Sequence, residues 1–222
     1  MIRMVVFDMA GTTVDENNIV YKTLQKVINA AGFNISLEQV LIEGAGKEKL
    51  TAIKDILALA GSQPDDSLAN MIYASFTNDL AIAYDSFELK PQPEAEKLFR
   101  ILKEKDILVI LNTGYNQATA DSILQKLDWQ IGLQIDELVT ASNVTNNRPY
   151  PDMILLAMNE FRITDAKEVV KIGDSIIDIE EGKNAGCGLS IGITTGAHTY
   201  EQLASAKPDA IINNLMELLP LL

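Results

Sequence analysis

Ile2-Arg3-Met4-Val5-Val6-Phe7-Asp8-Met9-Ala10-Gly11-Thr12-Thr13-Val14-Asp15 is the stretch on which the fold turns. Ile2 to Phe7 is an apolar, β-rich run of the kind buried on both faces of a parallel sheet. It stops at an acid, Asp8, and a short loop rich in glycine and threonine follows. From about Val20 to Asp85 the rhythm is helical. Leu24, Val27, Ile28 and Ala31 fall at helix spacing before Gly32, and Leu50, Ile53, Ile56, Leu57 and Ala60 do so before Gly61.

After Pro91 helices and strands alternate. A helix over Pro93 to Lys105 leads into the apolar run Ile107 to Leu111, and a second helix covers Asn116 to Leu127. A strand over Leu138 to Ala141, a helix over Pro151 to Phe161, a strand over Val169 to Ile172, a helix to Ala185 and a strand over Leu189 to Ile193 complete the pattern. Such alternation predicts an α/β fold, a Rossmann-like parallel sheet with helices on both faces. Residues 1–17 and 89–222 are expected to form the core, and 18–88 an inserted helical cap.

The 222 residues, 47% of them hydrophobic, suffice for a sizeable core with an insert. A formal charge of -13 opposes nucleic acid or an anionic membrane as partner, so any bound phosphate needs positive charge supplied locally. A single cysteine, Cys187, excludes an internal disulfide and a cysteine-rich zinc site, and is expected as a packed side chain. Arg3 and Asp8 interrupt the first apolar run, so no signal peptide is read. No apolar run approaches the ~20 residues of a bilayer span. The expectation is a cytoplasmic enzyme; oligomeric state is not legible.

In a parallel sheet, ligands bind beyond the carboxyl ends of the strands. Asp8, Thr113 and Asp174 each stand at or just past a strand end, which places three distant segments on one rim. Asp8 and Asp174 suit a hard cation such as Mg²⁺, and Asp178, one helical turn after Asp174, can face the same place. Thr113, the Gly114 backbone and the planar cation of Arg148 suit phosphate oxygens. Gly11 and Thr12 allow a tight first loop whose own N–H groups point at that anion. The free oxygen of Asp8 would then attack phosphorus and form an aspartyl-phosphate. The plainer alternative is that both aspartates merely cap the helices after their strands.

Four segments in order carry a resemblance: Asp8 to Asp15, Leu111-Asn112-Thr113-Gly114-Tyr115, Asn147-Arg148-Pro149-Tyr150-Pro151 and Gly173-Asp174-Ser175-Ile176-Ile177-Asp178. Together they resemble the motifs of the haloacid-dehalogenase superfamily, across essentially the whole chain. The resemblance implies a magnesium-dependent hydrolase of a small phosphorylated or phosphonylated metabolite, with the metal on Asp8, the Ala10 carbonyl and Asp174. Most phosphatases of the superfamily carry an acidic residue two places after the nucleophile, where this chain has Ala10. A positioned general acid contributes ~10²–10⁴-fold, so ordinary phosphate-ester hydrolysis should suffer.

Ala10, Thr113-Gly114-Tyr115 and Arg148 resemble the phosphonatase (phosphonoacetaldehyde hydrolase) branch. There a cap lysine forms an imine with the aldehyde and receives the electrons of the breaking P–C bond. Lys49, three residues after Gly46, is the matching lysine; Gly46 falls on the substrate-binding glycine. Ala52 and Ala45 stand where that branch has histidine and methionine. Lys47 and Lys49 also suit a solvated helix start or a phosphate contact.

Gly44-Ala45-Gly46-Lys47 is no P-loop, since the preceding spacing fails and Glu48 follows the lysine. His198, the single histidine, is expected in an exposed loop, and Trp129 in packing. Two rival functions stay open: a phosphoryl transferase of the sugar-phosphomutase kind, and a non-catalytic phosphate-binding module.

Overall fold

A computed structural model describes residues 1–61 and 66–222. In chain order the elements are β1 (Met4–Phe7), β2 (Val14–Asp15), α1 (Ile19–Ala30), α2 (Leu37–Gly44), α3 (Lys49–Leu59), α4 (Asp66–Ser86), β3 (Lys90–Pro91), α5 (Ala95–Glu104), β4 (Leu108–Thr113), α6 (Gln117–Leu127), β5 (Glu137–Thr140), α7 (Asp152–Glu160), β6 (Val169–Gly173), α8 (Ile176–Ala185), β7 (Leu189–Ile193), α9 (Tyr200–Ser205) and β8 (Ala210–Ile212). Six strands form one sheet in the order β5-β4-β1-β6-β7-β8, and every neighbouring pair is parallel.

β1 sits in the middle because both its faces can be buried: Met4, Val5, Val6 and Phe7 are all inaccessible. The two-residue period of a strand sends Met4 and Val6 into one apolar cluster, with Met153, Ile154 and Ala157 of α7. Val5 and Phe7 enter the other, with Leu98, Phe99 and Leu102 of α5. Phe99 packs edge-on to Phe7 and to Trp129, at ring-centroid distances of 5.5 and 5.2 Å. Trp129 is thus a core side chain, and Cys187 is buried against the α7 face.

β1 is also where the strand order reverses. Phe7 is in register with Leu111 of β4 and with Ile172 of β6, so the loops after these three strands open on one rim. The helices α1–α4 are inserted between β2 and β3. These two short strands pair antiparallel, Val14 with Pro91 and Asp15 with Lys90, at the base of the insert. α1 and α3 end at Ala30 and Leu59, within two residues of Gly32 and Gly61. Beyond Ile193 the structure adds α9 and a sixth strand, β8, which the alternation pattern did not reveal. β8 is three residues long and only its last, Ile212, is buried, so it has little apolar signature. Among the described residues no helix is long and apolar enough to cross a membrane.

Candidate active site

The rim gathers the expected acids. Asp8 leaves β1 with its N–H donating to the Ile172 carbonyl (3.0 Å), and the Thr13 hydroxyl donates to the Asp8 carbonyl (2.9 Å). The loop then closes tightly: Thr12, Thr13 and Val14 N–H all donate to the Met9 carbonyl, and Gly11 N–H donates to Val14. This corrects one expectation. These N–H groups are consumed in closing the turn and do not point at an anion; the Thr12 hydroxyl remains buried with no partner. Gly11 has φ +80°, and a Cβ there would strike the Asp174 carboxylate and lie 2.8 Å from the Gly196 Cα.

Asp8, Asp174 and Asp178 each offer an oxygen within 4.8 Å of the others, and all three are buried. Asp174 accepts from Ala197 N–H through Oδ2 (2.5 Å), while its Oδ1 has no hydrogen-bond partner. Burial raises the Asp174 carboxyl well above the ordinary carboxylate range, and the charges of Asp8 and Asp178 add to the effect. Asp8 is raised for the same reasons, burial first and Asp178 second, against the pull of Arg148 and Lys171. Asp178 differs. Burial opposes its charge, but Arg148 and Lys171, each 2.9 Å from Oδ1, hold its carboxyl below the ordinary value. The Ser175 hydroxyl donates to its Oδ2.

Arg148 is fully buried and its guanidinium is saturated by the protein. Nη1 bonds Asp8 Oδ1 at 2.7 Å, Nε bonds Glu181 Oε2 at 2.9 Å, and Nη2 donates to the Asn112 carbonyl and side chain. The planar fork expected to face phosphate is therefore turned onto Asp8 and its neighbours. Lys171 Nζ lies 2.7 Å from Asn112 Oδ1 and 3.5 Å from Glu181. Four buried carboxylates (Asp8, Asp174, Asp178, Glu181) thus face two buried cations, Arg148 and Lys171. The charge of a divalent ion would offset this excess of carboxylates, and an all-oxygen donor set with one carboxylate oxygen left unpaired suits a hard cation.

Thr113 ends β4, and its hydroxyl accepts from Tyr115 N–H (3.2 Å). A Cβ on Gly114 would lie 2.6 Å from the Lys47 carbonyl and 3.0 Å from that of Gly46, so the α2–α3 loop rests directly on the rim. Arg148 Nη1 donates to the Gly46 carbonyl (3.3 Å), and Gly46 N–H donates to the Tyr21 hydroxyl (3.2 Å).

The two lysines of that loop part company. Lys47 is spent on ion pairs with Glu43 (2.9 Å) and Asp55 (2.6 Å). Lys49 is buried at the first turn of α3, with Nζ 2.6 Å from the Lys47 carbonyl and above the rings of Tyr21 (5.9 Å) and Tyr115 (5.4 Å). Burial lowers its ammonium from 10.5 to about 8, and Asp8 is the largest charge working the other way.

Residues 2–186 match the haloacid dehalogenase-like hydrolase family. The chain belongs to the haloacid dehalogenase-like hydrolases. Among curated relatives, phosphonoacetaldehyde hydrolase of Latilactobacillus sakei subsp. sakei (strain 23K) is 29% identical, over 98% of this chain and 93% of its own. The Lactiplantibacillus plantarum enzyme of the same name is 31% identical, over 89% and 77%. The phosphonoacetaldehyde hydrolase-like protein from Oleispira antarctica superposes with a TM-score of 0.85 at 20% identity, covering 99% of this chain and 91% of its own. That likeness speaks for the fold alone.

The haloacid dehalogenase-like site contains residues that sequence reasoning missed. Lys171 had a signal, a lone charge inside the apolar run Val169 to Ile172. Glu181 had a weaker one, sharing a helix face with Asp178 at a spacing of three. Glu16, Tyr21 and Tyr84 had none. Tyr84 of α4 bonds the Tyr115 hydroxyl (2.7 Å) and donates to Glu16 Oε2 (3.3 Å), which also accepts Val20 N–H (2.9 Å). Burial raises the Glu16 carboxyl to about 6. His198 corrects a second expectation: it is 5% exposed, drawn in by hydrogen bonds at both ring nitrogens, Nδ1 accepting from Ile176 N–H.

Proposed function

We propose that this hydrolase cleaves the P–C bond of a small phosphonylated aldehyde, with Asp8 as nucleophile and Lys49 as the amine that activates the leaving carbon. The observation that carries this reading is Lys49 itself, a buried amine lowered to about 8 and reached over two tyrosine rings in the loop seated on the rim. At pH 7 about a tenth of such an amine is neutral, against roughly 3 in 10,000 for an ordinary lysine. Ala10 supports the same reading, because a carbon leaving group that drains into an imine needs no general acid at that position.

Mg²⁺ is the ion this site suits, held by Asp8, Asp174 and the Ala10 carbonyl, with Asp178 completing the acidic triad. When bound it supplies charge neutralisation, which lets an anionic substrate approach an anionic nucleophile. The chain's own groups do the rest. The Lys49 amine adds to the aldehyde carbon and loses water to give an imine. An Asp8 oxygen attacks phosphorus while the P–C electrons pass into the imine, giving an enamine and an aspartyl-phosphate. Water then releases phosphate from Asp8 and the aldehyde product from Lys49. Arg148 draws Asp8 toward its charged form and orients it, while Thr113, Gly114 and Thr12 receive the phosphoryl oxygens. Residues 18–88 are the closing cap, with Gly46 bringing Lys49 over the core of 1–17 and 89–222.

Borohydride added with phosphonoacetaldehyde should label the Lys49 peptide and inactivate the enzyme. A peptide of unchanged mass, together with one clearly preferred substrate in a Mg²⁺-supplemented panel of phosphate esters, would assign the site to phosphatase chemistry instead. Phosphate release lost in Asp8→Asn excludes a non-catalytic binding module.

A further inference from the structure

The loop after β7 touches the site at several points. The Thr195 hydroxyl donates to the Gly11 carbonyl (2.6 Å), Ala197 N–H to Asp174 Oδ2 (2.5 Å) and His198 N–H to the Asp174 carbonyl (3.2 Å). A Cβ on Gly196 would collide with the Asp174 carboxylate. From this loop, which holds Asp174 in place, the His198 side chain crosses to the cap. Its Nδ1 accepts from Ile176 N–H at 3.0 Å, at the start of α8, and its Nε2 lies 3.2 Å from the Leu41 carbonyl in α2. An acceptor at Nδ1 leaves the ring proton on Nε2, so Nε2–H donates to Leu41. The same Leu41 carbonyl accepts from Ala45 N–H (3.1 Å), the residue before Gly46. The ring therefore ties the end of α2, and with it the Gly46–Lys49 loop, to the start of α8.

We propose that His198 is a positioning residue, a latch that holds the cap loop of Gly46 to Lys49 down on the rim from the segment that also holds Asp174. Both ends of the latch are backbone groups, so its strength is independent of the side chains at Leu41 and Ile176. The proposal does not depend on Lys49 chemistry or on which phosphorus bond is cut. A phosphatase closing the same cap would use the same latch.

Hydrogen exchange on the full chain, compared between wild type, His198→Ala and His198→Phe, tests it. Losing two hydrogen bonds should speed amide exchange over residues 42–50 about ten-fold in both variants, with the amides of β1, β4 and β6 unchanged. The phenylalanine variant fills the space without either bond, and decides alone if the alanine variant fails to fold. Wild-type exchange over 42–50 in either folded variant overturns the latch: in the alanine variant the bonds would be idle, and in the phenylalanine variant packing would suffice. Equal acceleration across the core strands overturns it too, by making His198 an ordinary stabilising residue.

Discussion

Asp174→Asn should raise the melting temperature of the metal-free protein and abolish its response to Mg²⁺. Asp174 Oδ1 is buried with no hydrogen-bond partner, inside a site where four carboxylates face two cations. Asparagine is nearly the same size, keeps an oxygen for Ala197 N–H, and removes one of the uncompensated charges. Asparagine puts an amide nitrogen where Oδ1 was, so the gain comes only from the lost charge, and relieving an unpaired buried charge is worth on the order of 1–3 kcal/mol. In a chain of this length about 1 kcal/mol moves Tm by roughly 2–4 °C, so a rise of roughly 2–12 °C is expected without metal. Wild type should respond to Mg²⁺ instead. At about 100 times its Kd, a ligand specific to the folded state adds about 2.7 kcal/mol, or roughly 5–11 °C. The assay is thermal melting of both proteins near neutral pH, first in chelator and then in excess Mg²⁺. The order should reverse, the variant melting higher in chelator and wild type higher with the ion. A variant that melts lower in chelator and keeps the full Mg²⁺ response would refute the charge argument.

Lys171→Met should lose about 3–5 kcal/mol in denaturant unfolding, because the inaccessible ammonium holds Asp178, Glu181 and Asn112 together; a loss below about 1 kcal/mol would mean that Arg148 suffices. Gly114→Ala places a methyl 2.6 Å from the Lys47 carbonyl, so turnover should fall on the order of 10²-fold while the melting temperature hardly moves. Equal loss of stability and rate would count against a misplaced cap. Glu16 carries a pH signature: its carboxyl sits near 6 in the folded chain instead of its ordinary 4.5. The sign follows from the raised value, with the contribution to stability full below 4.5 and lost as pH rises through 6. Glu16→Gln, which does not ionise, should therefore gain about 2 kcal/mol in urea at about pH 8 and almost nothing at about pH 4. The same gain at both would show that the hydrogen bonds, not the charge, matter.

The sheet and the rim are legible in the sequence for a local reason. β1, β4, β5, β6 and β7 of the main sheet are each marked by an apolar run, and the acid or threonine at a strand end is readable from position alone, so the sequence already brings Asp8, Thr113 and Asp174 together. What joins the cap to the core is not local. Glu16, Tyr21, Tyr84 and Tyr115 converge only when α1 and α4 pack over the β4 loop. His198 reads as an exposed loop residue because its two partners are backbone groups at Ile176 and Leu41, which leave no trace in side-chain pattern. The first-loop N–H groups mislead in the opposite way, since a glycine-rich turn looks open until its own hydrogen bonds are counted.

The paired strands β2 and β3 make the two passages into the insert one mechanical connection. Anything that lifts the insert has to pivot there, and displacement about a pivot grows with distance from it. Glu16 stands one residue beyond β2, near enough for its charge to act on Lys49. Any such pivoting would lift the Gly46–Lys49 loop from Gly114, on which it rests.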